Sequence, residues 1–422
     1  MKRFILALAM LPCAALGQTP ASAPMTPEQI KQKLEWVKEI EAQGFAFWQR
    51  YANMPDSSAF RQAQEWYNPM ALVDGGLRPY LPIAAKDEKP TIDPAALEAA
   101  AAYAMERETQ AFIVYHKGKV RYQRYMDGYT DTSAISSHSW VKTLHGILMG
   151  FALADGKIKS LDEPSETYIT EWKNDPRGKI TIRQLLWNIS GLEDADLRNP
   201  DPTTNLGIQI VEGSDVNGAV LAHKLKSEPG TAFNHNNVTT QILGIILTRA
   251  TGVRIDKYLS EKLWRPMGAQ RGAMRLDKSY GGNVISYCCF LAAPSDWIRT
   301  AHLLKSDGKL PDGTQLLPPG WVAEMKKGSG PNPNYGLHIW VDAKFEKLRP
   351  YNPAFPVQAH NTHSEPFAVD DLFYFDGGGK VRIWISPKLD LIVLRMGFPP
   401  PKGKDFDEAF MPNTIIRGIK KG

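Results

Sequence analysis

Strand-like segments lie near both ends of the chain with helical patterns between them, and this order constrains the fold more than any other feature. Residues 111–116 and 119–125 have the pattern of two strands around a Lys117-Gly118 turn, which predicts a β-hairpin. Strand patterns then return far along the chain, at residues 372–377, 380–386 and 391–397. We therefore predict an α+β fold, in which an α/β sandwich lobe with a central antiparallel sheet carries an inserted all-α lobe.

The same order predicts the domain boundaries. The sheet lobe is discontinuous and takes residues 101–160 and 276–422, and the helical lobe takes residues 161–275. Residues 18–100 form an N-terminal helical extension, whose first helix is indicated by a capping box at residues 26–29. Ligands commonly bind between lobes, so we expect a site at the seam of the sheet lobe and the helical lobe.

Residues 1–17 are predicted to be a secretory signal peptide. A basic start precedes an apolar stretch at residues 4–11, and small residues then lead to a cleavage site after Gly17. Lipidation at Cys13 is disfavoured, because Pro12 stands where such sites prefer a small residue. Later segments fall short of the ~18 uninterrupted apolar residues that a membrane span needs. We therefore expect a soluble mature protein without a membrane span, periplasmic or secreted.

Composition and the remaining cysteines exclude several classes of function. Lysine and arginine exceed aspartate and glutamate by only 50 − 45 = +5, and no basic block is long enough to follow a nucleic-acid backbone. Adjacent cysteines rarely bond each other, so Cys288 and Cys289 are predicted to be buried small apolar residues. His360 and His363 have the spacing of a metal pair but lack a companion ligand motif. We predict no metal site, no cofactor and no nucleic-acid partner; the oligomeric state stays open.

Ser139 and Lys142 form an S-x-x-K pattern. In this pattern the serine attacks an acyl carbon, and the lysine one helical turn away takes its proton. Residues i and i+3 share a helix face, and the positive end of the helix dipole disfavours a charged lysine, which makes a neutral amine base more accessible. Ser306 and Lys309 have the same spacing, but a turn signal lies between them. Because Ser139 follows a strand pair and opens a predicted helix, it is our candidate nucleophile.

From residue 139 onward the chain resembles the serine β-lactamase and penicillin-binding-protein superfamily, especially its class C and 6-aminohexanoate-dimer hydrolase-like branch. The segments that carry the resemblance occur in the family's order, at residues 139–164, 181–192, 228–237, 287–299 and 375–395. Together they cover roughly residues 105–400. The resemblance implies a β-lactamase/transpeptidase-like fold and a hydrolase that forms an acyl-enzyme.

The resemblance also implies a second motif, Tyr-x-Asn, which falls on His235 and Asn237. A histidine here replaces the tyrosine whose hydroxyl relays protons in the family. Imidazole, with an unperturbed pKa of ~6.5, can serve as an acid or a base near neutral pH. The alternative is that Asn236 or Asn237 caps the following helix and that His235 is a solvated neighbour. Asn237 can do both jobs.

The third motif, usually Lys-Thr-Gly, falls within Asp376-Gly377-Gly378-Gly379; it lacks the lysine, whose place is taken by Asp376 or Gly377. Glycines on a strand edge let the backbone approach a ligand, and their N–H groups can form an oxyanion hole with that of Ser139. We therefore assign Gly377, Gly378 and Gly379 to substrate binding. The missing lysine removes a cation that would hold a substrate carboxylate, which argues against penicillins as preferred substrates.

Two functions are compatible with these residues. The first is an exported serine hydrolase that cleaves amide or ester bonds of a small-molecule substrate. Its predicted site consists of Ser139 as nucleophile, Lys142 as base, His235 as acid/base partner and Asn237, which orients the substrate or the lysine. The second is a catalytically impaired binding protein of the same fold, suggested by the missing tyrosine and lysine. His145, two turns along the nucleophile helix, is predicted to pack in the core.

Overall fold

A six-stranded antiparallel sheet forms the centre of the computed structural model, which describes residues 26–28, 31–32, 35, 67–76, 81–195, 205–351 and 360–420. The strands are, in chain order, β1 (Met70–Val73), β2 (Thr109–His116), β3 (Lys119–Tyr125), β4 (Ile135–Ser136), β5 (Gly272–Arg275), β6 (Leu291–Ala292), β7 (Trp340–Val341), β8 (Leu348–Pro350), β9 (His360–Thr362), β10 (Phe373–Gly377), β11 (Val381–Ser386) and β12 (Leu391–Gly397). The central sheet has the order β3-β2-β12-β11-β10-β7, so strands from distant parts of the chain pair as predicted.

The α-helices of the described residues flank this sheet and fill the middle of the chain. They are α1 (Pro94–Met105), α2 (Lys142–Ala154), α3 (Ile182–Leu186), α4 (Leu206–Glu212), α5 (Val216–Ala222), α6 (Asn237–Thr251), α7 (Ile255–Leu259), α8 (Pro294–Lys305), α9 (Trp321–Met325) and α10 (Phe410–Arg417). Helix α6 ends at Gly252, whose left-handed φ of 72° suits the residue after a helix C-terminus.

Both faces of the sheet are covered, as expected of an α/β sandwich. Strand β2 is buried along its whole length: Ala111 and Ile113 join one hydrophobic core, and the alternating residues Phe112 and Val114 join the other. Helices α2 and α8 contribute to the first core, and α1 and α10 contribute to the second. The predicted α+β fold with a central antiparallel sheet is confirmed.

The local signals in the sequence explain most of these elements. The predicted hairpin and the three C-terminal strands are confirmed to within two residues at each end. Helix α1 begins at Pro94, and Asp93 caps it by accepting a hydrogen bond of 3.1 Å from the Ala95 N–H. The segment that we expected to be only a connector, residues 68–90, contains strand β1, whose four residues are too few for a clear period.

A second, four-stranded sheet positions the candidate nucleophile. Its order is β1-β5-β6-β4, and β4 pairs with β6 in the register Ile135 to Ala292 and Ser136 to Leu291. Strand β4 ends three residues before Ser139, so the pairing with β6 fixes the point at which the chain enters the nucleophile turn. A further sheet of two strands joins β8 and β9.

The structure does not decide the predicted division into a sheet lobe and a helical lobe. Residues 161–275 carry helices α3 to α7 and end in strand β5. The described residues from 67 onward belong to one compact unit, and the division into a sheet lobe and a helical lobe stays a prediction. In the predicted first helix, residues 27–28, 31–32 and 35 are helical, whereas the predicted signal peptide lies outside the described residues. Within the described part of the chain, no helix has the length and apolar character to cross a membrane.

Candidate active site

Ser139 lies in a short 3-10 turn, His138–Val141, between strand β4 and helix α2. The start of this turn is fastened to the chain before β6, because the Ser137 N–H donates to the Phe290 carbonyl (2.9 Å) and the Phe290 N–H donates to Ser137 Oγ (3.0 Å). His138 has a φ of 46°, a left-handed conformation that non-glycine residues adopt only when their surroundings hold it. Ser139 is half-buried while the residues on either side are buried. The turn thus anchors its neighbours and leaves the serine accessible.

Lys142 is the first residue of α2, one helical turn after Ser139, and it is almost fully buried. Its Nζ donates two hydrogen bonds of 2.7 Å, one to Asn237 Oδ1 and one to the Tyr287 carbonyl. Burial lowers the pKa of Lys142 to about 7, and the nearby Asp194 carboxylate partly opposes this shift. A large fraction of the lysine is therefore a neutral amine near neutral pH, which is the form that can accept a proton.

The two asparagines after His235 have different tasks. Asn236 is the N-cap of α6: its Oδ1 accepts a hydrogen bond of 2.7 Å from the Val238 N–H, and its Nδ2 donates to the Glu193 carbonyl (3.0 Å). Asn237 is the first residue of the helix and directs its amide oxygen to Lys142. The predicted capping function belongs to Asn236, and Asn237 contacts the candidate base.

His235 lies among aromatic rings close to Lys142. The centroid of its ring is 5.5 Å from that of Tyr351, 5.9 Å from that of Tyr335 and 6.0 Å from that of Trp340. The backbone N–H of His235 donates a hydrogen bond of 2.9 Å to the backbone carbonyl of Tyr351. Burial, together with the charge of Lys142, holds the pKa of His235 well below 6.5. The imidazole is therefore neutral at neutral pH and packs against aromatic rings.

The predicted glycines occupy two different environments. Gly377, the last residue of β10, packs against the nucleophile turn, since a Cβ there would lie 2.8 Å from the Ser137 carbonyl oxygen. Gly378 and Gly379 form the turn into β11, and a Cβ on Gly379 would lie 3.4 Å from the carbonyl oxygen of Gly397 at the end of β12. Close approach to the nucleophile turn thus accounts for Gly377, whereas Gly379 is required by its left-handed φ of 71°.

Asp376, one of the two residues expected to take the place of the missing third-motif lysine, belongs to a buried polar cluster. Its carboxylate pairs with Arg382 (2.8 Å) and accepts hydrogen bonds from the Tyr351 hydroxyl (2.5 Å) and from Asn361 Nδ2 (2.6 Å). Arg382 also pairs with Glu408 at 2.7 Å. The sequence did not suggest this cluster, because its members come from four separate segments and none carries a recognisable spacing.

Cys288 and Cys289 are joined by a disulfide, so our prediction of two unpaired apolar side chains is wrong. Cys289 is buried as predicted, and its φ of 72° places it in the left-handed region. Its N–H donates to the His138 carbonyl (3.1 Å). The disulfide therefore lies between the carbonyl that accepts from Lys142, on Tyr287, and the nucleophile turn.

Two buried histidines, His145 and His338, lie near the candidate base Lys142. His145 is buried on α2, as predicted, with Nε2 3.1 Å from Ser286 Oγ, and burial lowers its pKa to about 3. His338 was not identified from the sequence; its ring lies 6.1 Å from that of His145, its Nδ1 is 2.8 Å from the Leu186 carbonyl and its Nε2 is 3.1 Å from Thr240 Oγ1. An isolated histidine without a motif gives no signal in the sequence.

Within the described ranges, no group of three or more histidine, cysteine, aspartate or glutamate side chains is placed to hold a metal ion. His363, one half of the pair considered above, is buried with its ring 5.3 Å from Phe367.

Comparison with known proteins shows which families and chains this protein is similar to. A family model described as Beta-lactamase matches residues 97–279. The 6-aminohexanoate-dimer hydrolase of Paenarthrobacter ureafaciens is 22% identical over 303 residues, which are 69% of this chain and 74% of that protein. Protein flp of Staphylococcus aureus strain N315 is 26% identical over 129 residues, which are 30% of this chain, and the match spans only 25% of the length of that relative.

The fold has a solved counterpart. A Bacillus anthracis protein provisionally named 6-aminohexanoate-dimer hydrolase superposes with a TM-score of 0.66 at 19% identity, over 84% of this chain and 91% of the other. Together with the family match, this confirms the resemblance to the serine β-lactamase and penicillin-binding-protein superfamily that the sequence predicted.

Proposed function

We propose that this chain, which has the fold of the serine β-lactamases and penicillin-binding proteins, is an exported serine hydrolase that cleaves linear amide or ester bonds of a small substrate through an acyl-enzyme on Ser139. The observation that carries the proposal is the environment of Lys142. A lysine that is almost fully buried, held by Asn237 and the Tyr287 carbonyl, and shifted to a pKa of about 7, suits a general base.

The proposed reaction has two halves. Lys142, as a neutral amine, accepts the hydroxyl proton while Ser139 Oγ attacks the carbonyl carbon of the substrate. The tetrahedral oxyanion is stabilised by backbone N–H groups of Ser139 and of the strand that ends at Gly377. The bond to the leaving group then breaks, the leaving group takes the proton from the Lys142 ammonium, and a water molecule attacks the acyl-enzyme in the reverse sequence to release the acid and free Ser139.

His235 is proposed to assist the transfer of this proton to the leaving group. Because its pKa lies well below 6.5, it acts as a neutral hydrogen-bonding group and not as a group that stores a proton at neutral pH. We expect His235→Ala to lower kcat by ~10²-fold or more, the usual scale for an acid/base partner, and His235→Tyr to retain or raise activity. An unchanged rate in the alanine variant would show that His235 has no part in the reaction.

The preference for linear substrates is supported by the third motif. Neither of the two residues expected at the position of the family lysine, Asp376 and Gly377, is a cation, and the charge of Asp376 is compensated by Arg382 inside the protein. No cation at this position is available to hold a substrate carboxylate, which argues against β-lactams. The likeness to a protein named 6-aminohexanoate-dimer hydrolase points in the same direction.

The proposal is tested with a substrate panel. Purified protein is assayed with p-nitrophenyl esters, short amide oligomers and a chromogenic cephalosporin, and Ser139→Ala and Lys142→Ala serve as controls. We expect turnover of an ester or an amide, little turnover of the cephalosporin, and a loss of about 10³-fold or more in both variants. Export is tested separately, by fractionation of cells that express the full chain and by N-terminal sequencing, which should begin after Gly17.

A second candidate function is a binding protein that has lost catalysis. It is favoured by one specific observation: the family tyrosine is absent at His235, and the family lysine is absent at Asp376 or Gly377. This function would be supported if Ser139→Ala bound a substrate-like ester or amide as tightly as the wild type and the wild type turned over none of the panel.

A further inference from the structure

The two departures from the family pattern, His235 and Asp376, are joined by one residue. The Tyr351 hydroxyl donates to Asp376 Oδ1 at 2.5 Å, while the Tyr351 backbone carbonyl accepts a hydrogen bond of 2.9 Å from the backbone N–H of His235. The Tyr351 ring also lies 5.5 Å from the imidazole of His235. A single side chain and its own backbone therefore connect the second motif to the third.

The hydroxyl of Tyr351 is fixed by several partners. Besides donating to Asp376, it lies 3.2 Å from Arg382 Nη2, which can donate to it, and 3.1 Å from Asn361 Oδ1. Arg382 is itself held on the other side by Glu408. Because the Tyr351 hydroxyl has a defined partner both as a donor and as an acceptor, the phenol ring has little rotational freedom. We infer that this also restrains the backbone of Tyr351.

The far end of this connection reaches the nucleophile. Asp376 is followed by Gly377, whose Cα packs so closely on Ser137 that a Cβ would lie 2.8 Å from the Ser137 carbonyl. On the other side, His235 is followed by Asn236 and Asn237, and the Oδ1 of Asn237 accepts a hydrogen bond from Lys142 Nζ. The path from the nucleophile turn through Gly377, Asp376 and Tyr351 to His235 is thus a series of direct contacts.

We propose that Tyr351 is a positioning residue for the reaction: anchored on Asp376, it holds the imidazole of His235 in a defined place relative to Ser139. The inference rests on the proposed hydrolase function and deepens it, because it treats the two substituted motif positions as one unit coupled through Tyr351. A tyrosine outside the family's motifs thereby connects the two places where the family residues are missing.

The chain offers a matched pair of variants. Tyr351→Phe removes the hydroxyl and leaves the ring and the carbonyl in place. Tyr374→Phe removes another buried hydroxyl, which Arg349 contacts at 3.2 Å, from the same strand as Asp376; the Tyr374 ring reaches His235 only through Trp340, and its hydroxyl does not bond to Asp376 or Tyr351. A merely structural function of the hydroxyl would make the two variants behave alike.

The first readout does not require turnover. Protein labelled with ¹⁵N-histidine is titrated by NMR, and the His235 signals are assigned by their absence in His235→Gln. We expect Tyr351→Phe to move the His235 signals and to raise the pKa of its imidazole towards the ordinary value, because a less tightly held ring admits water. Tyr374→Phe should leave these signals unchanged. Unchanged signals in Tyr351→Phe, or equal changes in both variants, would overturn the inference.

The second readout is catalytic. In the panel assay, Tyr351→Phe should lower kcat by between about 10- and 100-fold with little change in KM, the scale of a misplaced catalytic group, while Tyr374→Phe stays within about twofold of the wild type. Equal kcat values in the two variants would count against positioning. Absence of hydrolysis by the wild type would overturn the proposed function alone, since the NMR comparison decides whether Tyr351 places His235.

If Tyr351→Phe does not fold, the hydrogen bond between the Tyr351 hydroxyl and Asp376 is tested instead with Asp376→Asn. An asparagine keeps an oxygen that can accept from the Tyr351 hydroxyl, so the His235 signals should stay close to those of the wild type. A folded Asp376→Asn protein whose His235 signals move clearly away from their wild-type positions would contradict the assigned contact.

Discussion

Lys142 Nζ lies 2.7 Å from the Oδ1 of Asn237, so the candidate base on α2 is tied directly to the first residue of α6. The Tyr287 carbonyl accepts a second hydrogen bond at the same distance. These two acceptors fix the amine in a buried position, where burial also makes it easier to deprotonate. The contacts that hold the lysine in place therefore also keep it buried, and this burial lowers its pKa.

Asn237 and Asn236 provide a first test, because neighbouring asparagines have separate functions. We expect Asn237→Ala to lower kcat/KM by about 10-fold or more, since Lys142 loses an acceptor, and to change stability little. Asn236→Ala should instead lower the free energy of unfolding by ~1 kcal/mol or more through loss of the helix cap. Denaturant unfolding and ester hydrolysis of both variants measure the two effects. An equal loss of activity in both would refute the division of functions.

The pH dependence of kcat/KM follows from the state of Lys142. Burial places its pKa at about 7, and the reactive form is the neutral amine. As pH rises from 5 to 7, kcat/KM should increase about tenfold per unit, and it should level off above 7. Asp194→Asn removes a charge that raises the pKa of Lys142, so the curve should move to lower pH. A curve that is flat between pH 5 and 8, or one that moves to higher pH in Asp194→Asn, is not compatible with this assignment.

Buried histidines should make the fold sensitive to acid. Burial lowers the pKa of His138 to about 4 and that of His145 to about 3, below the ordinary 6.5. As pH falls below about 6.5 the unfolded chain takes up these protons first, so the free energy of unfolding should decrease between about pH 6.5 and 4. Urea unfolding at pH 7, 6 and 5 measures the slope. His145→Gln should reduce that slope by up to about 1.4 kcal/mol per pH unit, and an unchanged slope would argue against a buried, neutral His145.

Gly377 should not tolerate a side chain. A Cβ would lie 2.6 Å from Val381 Cγ2 and 2.8 Å from the Ser137 carbonyl, so β10 or the nucleophile turn must move. We expect Gly377→Ala to lower kcat/KM by about 10-fold or more and to cost about 1–3 kcal/mol of stability. Gly330→Ala is the control, because a Cβ at Gly330 has no atom within 4 Å. The assignment fails if Gly377→Ala is as active as Gly330→Ala.

The sequence predicts elements whose signals are local. The hairpin around Lys117-Gly118, the three C-terminal strands and helix α1 with its Asp93 cap all follow from periodicity and capping within a few residues. The S-x-x-K pair was identified for the same reason, since both of its members lie on one helical turn. Strands β4 and β6 escape prediction, because two residues carry no period.

Contacts between distant residues could not be predicted. The contact of Tyr351 with Asp376 and the proximity of His338 to His145 depend on the assembled sheet and helices. The spacing of these residues in the sequence does not predict either contact. The disulfide between Cys288 and Cys289 contradicts a prediction that rested on the rarity of bonds between adjacent cysteines.

The most direct test of the central claim is labelling of Ser139. Folded wild-type protein, treated with a fluorophosphonate probe and digested, should carry the phosphonyl group on the peptide that contains Ser139, and the rate of labelling should rise with pH through about 7 as Lys142 loses its proton. Lys142→Ala should label far more slowly, and Ser306→Ala should label like the wild type. Absence of label on Ser139 in folded protein, or labelling that does not depend on Lys142, would contradict the account.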